Sequence, residues 1–224
     1  MRRTAVLLAA LGVAGCSSLG EPGSAVAIEV LTPAPAVVEI GDTITLHARV
    51  LDQQGDSILG APIRWRTPDS TVWVDSLTGK FTGLSGSTGR VQAVSGSLAG
   101  PLTAFTVHPR SDTLIVLNDS LFVLTADTAS APLDPEVTDS LLAGLADRRI
   151  AVSLVAPSPA GARLTGDVVS DTVTTGANGQ PLTAIRVRKV GVASGDSVIV
   201  QVSAKRPSGA VVPGSGRHIR VFFQ

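Results

Sequence analysis

Eight consecutive residues set the tightest limit on what this chain can fold into. In Thr43-Ile44-Thr45-Leu46-His47-Ala48-Arg49-Val50, the apolar Ile44, Leu46, Ala48 and Val50 alternate with polar or charged neighbours. A β-strand sends successive side chains to opposite faces, so period two implies one face on a core and one in water. Val26, Ile28 and Val30 repeat the pattern, and Ile63 and Trp65 alternate with Arg64 and Arg66. This places Trp65 in the core and both arginines outside. Further short strand-like runs cover residues 72–74, 80–82, 89–94 and 103–107. In the second half they cover 113–117, 121–126, 149–155, 162–164, 171–175, 182–190, 197–204 and 219–223. Turn residues separate them: Pro33 and Pro35, the acidic turn at 52–56, Thr78-Gly79, Gly100-Pro101 and Asn178-Gly179. Many short strands at this spacing imply an all-β fold, here two tandem β-sandwiches.

Residues 129–147 are the least strand-like. Leu141, Leu142 and Leu145 after Asp139 suggest a long loop with one or two helical turns, weakened by Gly144. The organisation expected is residues 26–108 as a first domain and 111–224 as a second. A short joint at His108-Pro109-Arg110-Ser111 divides them, because Pro109 cannot donate a backbone hydrogen bond.

Composition narrows the function. The 224 residues carry 18 basic and 18 acidic side chains, and aromatics are 3% with no tyrosine. Nothing there fits a nucleic-acid partner. Cys16 is the single cysteine, so the domains are stable without a disulfide.

The start of the chain reads as a targeting segment. Arg2 and Arg3 precede an apolar run at 5–14, too short to span a membrane as a helix. Val13-Ala14-Gly15-Cys16 resembles a bacterial lipobox, an aliphatic residue and two small residues before the lipid-bearing cysteine. The resemblance implies a signal peptide over 1–15, lipidation of Cys16 and a flexible tether over 16–25. Several acyl chains would then hold the protein on a membrane. Removing Arg2 and Arg3 with the signal leaves 16 basic against 18 acidic residues. Ser17 after Cys16, in place of Asp, resembles lipoproteins sent to the outer membrane.

Residues 26–107 resemble a bacterial Ig-like domain of group 2. The carriers are Gly41-Asp42-Thr43-Ile44-Thr45-Leu46, Val50-Leu51-Asp52, Ile63-Arg64-Trp65, Thr67-Pro68-Asp69, Val72-Trp73-Val74-Asp75, Gly79-Lys80-Phe81-Thr82-Gly83 and a glycine-rich turn from Ser85 to Gly89. Residues 111–224 more loosely resemble group 1, invasin- or intimin-type Ig-like domains, through Arg149-Ile150-Ala151-Val152-Ser153-Leu154, Thr174-Thr175-Gly176-Ala177-Asn178-Gly179 and Gly195-Asp196-Ser197-Val198. The resemblance implies a spacer or adhesive module on a cell surface, with a protein or glycan partner and no cofactor.

Catalytic chemistry finds little support. His47, His108 and His218 are the only histidines, and no serine sits in a Gly-x-Ser-x-Gly elbow. There is no cysteine pair and no His-Glu-x-x-His, and the loop carboxylates lack EF-hand spacing. Three residues stand out as candidate ligand contacts. Trp73 points outward if Val72 and Val74 point inward, and an exposed indole can stack on a sugar or anchor a partner. The plainer reading is a ring half-covered by its neighbours. Arg186 and Arg188 share a strand face and could meet an anionic glycan or headgroup. Here the plainer reading is internal: residues 112–147 carry seven acidic and no basic side chains, residues 148–224 ten basic and three acidic, and the two segments fold against each other.

Overall fold

The computed structural model describes residues 24–124, 127–155 and 161–224. Cys16 and most of the expected tether lie outside the described residues. Among the described residues, ten strands come before the joint: β1 (Ala27–Leu31), β2 (Val37–Glu39), β3 (Thr43–Thr45), β4 (His47–Leu51), β5 (Arg64–Arg66), β6 (Val72–Val74), β7 (Lys80–Gly83), β8 (Ser87–Ser95), β9 (Leu98–Ala99) and β10 (Thr103–His108). Nine follow it: β11 (Thr113–Val116), β12 (Ser120–Val123), β13 (Pro135–Thr138), β14 (Arg149–Leu154), β15 (Ala162–Leu164), β16 (Ser170–Thr174), β17 (Val187–Lys189), β18 (Ser197–Ala204) and β19 (Arg217–Phe223). The all-β architecture expected from the alternation, as two β-sandwiches in tandem, is the one observed.

In the first sandwich, β2-β10-β8-β5 form one sheet, with β9 on β8, and β3-β7-β6 and β1-β4 close over it. Val38, Trp65, Val91, Ala93, Phe105 and Val107 from the large sheet meet Ile28, Leu46, Val50, Val72 and Phe81 from the other layer. The Phe81 and Phe105 rings lie 4.7 Å apart across the layers, tilted at 41°. In the second sandwich, β12-β19-β18-β14-β16 form the large sheet, and the β11-β13 and β15-β17 pairs lie opposite. Its core is built largely of valine: Val152, Val198, Val200, Val202 and Val221 on the sheet, facing Leu114, Val137, Leu164 and Val187. Among the described residues the two apolar clusters share none.

The alternation places faces correctly. Trp65 is buried and Arg64 and Arg66 are exposed. Leu46 and Val50 are buried, with His47 and Arg49 outside. The run 43–50 is nevertheless two strands, because it changes partner: Thr43–Thr45 pair with β7, and the chain from His47 pairs with β1.

Three expectations give way. The helical turns expected in 129–147 are absent; the segment contains β13, paired antiparallel with β11. The Asp139 carboxylate accepts the N–H groups of Leu141 (2.8 Å) and Ala143 (2.9 Å), which closes a turn. Leu141 and Leu142 are therefore exposed, and only Leu145 reaches the core. The run 182–190 contributes only Val187–Lys189 as strand, although Ile185 is buried just before it. The glycine-rich turn at 85–89 ends early, since β8 already begins at Ser87 and Gly89 is buried inside it.

Candidate functional site

The ends of β2 and β10 lie side by side, with Glu39 in register with His108. This is where the first sandwich meets the second. Glu39 is completely buried. Its Oε2 accepts the Ser111 backbone N–H at 2.8 Å and its Oε1 accepts the Ser111 hydroxyl at 2.6 Å. Two arginines from the second sandwich close over it. Arg148, just before β14, brings Nε to 2.9 Å from Glu39 Oε1. Arg206, just past β18, brings Nε to 3.5 Å from Oε2.

Further donors of both arginines face acceptors. Arg148 donates from Nη1 to His108 Nδ1 and to the Ala146 carbonyl, and from Nη2 to the Pro109 carbonyl, each at 2.7 Å. Arg206 donates from Nε and Nη2 to the Ser111 carbonyl at 2.9 and 2.7 Å, and its Nη1 lies 3.5 Å from Asp42 Oδ1. Ser208 donates its hydroxyl to the other oxygen of Asp42. Asp42, Arg148 and Arg206 are all buried. Burial pulls the Arg148 guanidinium below its ordinary value, and Glu39 and Asp147 work against that. Charges out of water persist only when paired and hydrogen-bonded, and planar guanidinium forks suit that task.

Because a guanidinium only donates, His108 Nδ1 must accept, which keeps the ring neutral. Burial, and then the Arg148 charge, push its pKa below the ordinary histidine value; Asp147 and Glu39 push the other way. Ser111, His108 and Glu39 are thus neighbours, but their bonds do not form a nucleophile–base chain. The Ser111 hydroxyl is given to Glu39, and the serine is fully buried. His47 and His218 are exposed on their strands. Among the described residues no three His, Cys, Asp or Glu side chains converge as a metal site.

The residues singled out from the sequence are not brought together. Trp73 is 50% exposed on β6, pointing away from buried Val72, in the first sandwich. Arg186 and Arg188 are in the second, and each is tied to its own sandwich. Arg186 donates to the Ser130 carbonyl at 2.7 Å, and Arg188 pairs with Asp167. The internal charge pairing expected between 112–147 and 148–224 is thin: among the described residues it amounts to Arg206 and Asp112 at 4.0 Å. The buried basic groups reach instead into the first sandwich, to Glu39 and Asp42. Beside this network lies an open cleft of about 790 Å³, walled by residues 33–35 of the first sandwich and the outer sheet face of the second.

No family model and no curated protein sequence matches the chain. Solved structures do resemble it at low identity. The Yersinia pseudotuberculosis adhesin InvE matches with 15% identity and a TM-score of 0.42 over 88% of this chain and 58% of that one. Fibronectin(III)-like modules of Clostridium thermocellum CbhA match with 14% identity and a TM-score of 0.42 over 88% and 94%. The Escherichia coli adhesin FdeC matches with 18% identity and a TM-score of 0.37 over 87% and 63%. The chain therefore spans a little over half of the InvE structure it resembles.

Proposed function

We propose that this chain is a non-catalytic spacer of the bacterial cell envelope, anchored by lipid at Cys16, that holds its second sandwich away from the membrane for a partner to meet. The observation that carries this reading is the buried ion-pair network at the joint. It fixes one sandwich against the other while their apolar cores stay separate. Strand direction supports a linear arrangement. β2 and β10 run toward the joint, whereas Ala27 pairs with Leu51 at the opposite end of the first sandwich. In the second, β18 ends at the joint and Ser197, at its start, pairs with Phe222 near the far end. Strands as long as β8 and β18 each reach about 25–30 Å. A tether at one end and an open sandwich at the other suit presentation at a surface, with the outer membrane as the destination that Ser17 suggests.

Two measurements test it. Cys16→Ser should move the protein from the membrane fraction to the soluble fraction; a variant that stays on membranes removes the anchor. Residual dipolar couplings from the soluble chain should fit one alignment tensor for both sandwiches. Two unequal tensors would mean a loose joint and would end the spacer reading. A second reading, a carbohydrate- or cell-wall-binding module, is favoured by exposed Trp73. A glycan array with Trp73→Ala as control separates the two.

A further inference from the structure

The outer face of β16, β14 and β18 forms one wall of the cleft at the joint. Register sets Thr172 opposite Ala151 and Ala151 opposite Ser203, giving two hydroxyls with a small side chain between them. Two residues along the same face, Thr174 lies opposite Arg149. The alternation of β18, carried one residue past Ala204, places Lys205 on that face across from Arg149. Both cations are exposed, and among the described residues neither makes an ion pair or a side-chain hydrogen bond. Like charges across a ladder destabilise a sheet, so this pairing works against the fold unless something anionic joins it. The other wall, Pro33, Ala34, Pro35 and Val37, is apolar. Asp147, also exposed, lines the cleft as its one carboxylate, against four basic side chains counting Arg148 and Arg206. A concave space of about 790 Å³ with few convergent polar groups and an apolar wall is of ligand-site size.

We propose that this cleft binds a small molecule through an oxyanion. Arg149 and Lys205 take its charge, Thr172 and Ser203 donate hydroxyl hydrogen bonds above Ala151, and the prolines cover the ligand's apolar part. The oxyanion is a phosphate ester or a sugar carboxylate, and both chemistries meet the same donors. The proposal rests on the fixed joint of the spacer reading, because the two walls of the cleft come one from each sandwich.

The test is an amide chemical-shift titration of the chain from residue 16, kept soluble by Cys16→Ser, at constant ionic strength. Sodium phosphate and sodium glucuronate are the probes and chloride is the control. Saturable shifts at Ala151, Thr172 and Ser203 with either probe support the site, and the probe that binds names the oxyanion. The Arg149→Gln/Lys205→Gln double variant should bind at least tenfold more weakly, with an equal or higher melting temperature. Ala151→Leu, which fills the gap between the hydroxyls without changing charge, should also lose binding. No saturable shift with either probe, or unchanged binding in the double variant, overturns the proposal. The spacer test reads domain alignment and the titration reads a ligand: one shared tensor without a saturable shift sinks the site alone, whereas two unequal tensors remove the joint on which both rest.

Discussion

At the scale of single residues, His108 is the side chain whose chemistry the joint depends on most visibly. Its Nδ1 accepts from Arg148 at 2.7 Å, and its pKa lies below the ordinary value because of burial and then the Arg148 charge. The unfolded chain takes up the proton near pH 6.5, whereas the folded one resists it. The stability from a neutral His108 is therefore complete above about pH 6.5 and is lost as the pH falls through the lower folded value. The melting temperature should drop between pH 7 and pH 5. In His108→Gln, whose side-chain oxygen can accept the same bond without titrating, that drop should be smaller. Carboxylates elsewhere titrate alike in both proteins, so the difference between the two profiles isolates the imidazole. Superimposable profiles would mean that Arg148 does not hold the ring neutral.

Elements differ in how far their sequence announces them, and the reason is physical. Arg64–Arg66 and Ser197–Ala204 are legible because one wet face and one dry face impose period two on the residues themselves. β13 is hidden because it starts on Pro135, a residue that argues against strand unless it sits at a strand's start or a sheet's edge. β2 is hidden because Val37-Val38-Glu39 follows two prolines and ends on a charge that ordinarily faces water. β8 illustrates a second limit: Gly89 reads as a turn residue but lies mid-strand, where a Cβ would sit 2.2 Å from Val72 Cγ1. Its role is close approach between layers, which spacing along one strand does not reveal. Gly89→Ala should lower stability by about 1–3 kcal/mol, as overpacking of a filled core does. Chemical denaturation measures it. A neutral result would mean that Val72 can turn away; if the loss is a clash, adding Gly89→Ala to a Val72→Ala background should cost less than it does in the parent.

At the scale of the whole molecule, the joint was legible as a place and not as a structure. Pro109 marks where the first set of strands ends, but nothing local links Glu39 to Arg148 and Arg206, which come from distant parts of the chain. Only the docked arrangement buries all three, and that gives the network a signature that separates coupling from local stability. In the intact chain Glu39→Gln leaves two buried guanidinium groups short of their counter-charge. Breaking a buried ion pair by removing one partner typically costs about 3–5 kcal/mol. In residues 26–108 alone, Ser111, Arg148 and Arg206 are missing, and the end of β2 opens to water. There the same substitution should change stability by about 0.5 kcal/mol or less, as surface replacements do. The measurement is a pair of urea denaturation curves, parent against variant, for the fragment and for the intact chain. A large loss in the chain with almost none in the fragment means that Glu39 stabilises the contact between the sandwiches. Equal losses in both would place its role inside the first sandwich, and the two modules would then be free to pivot about Pro109.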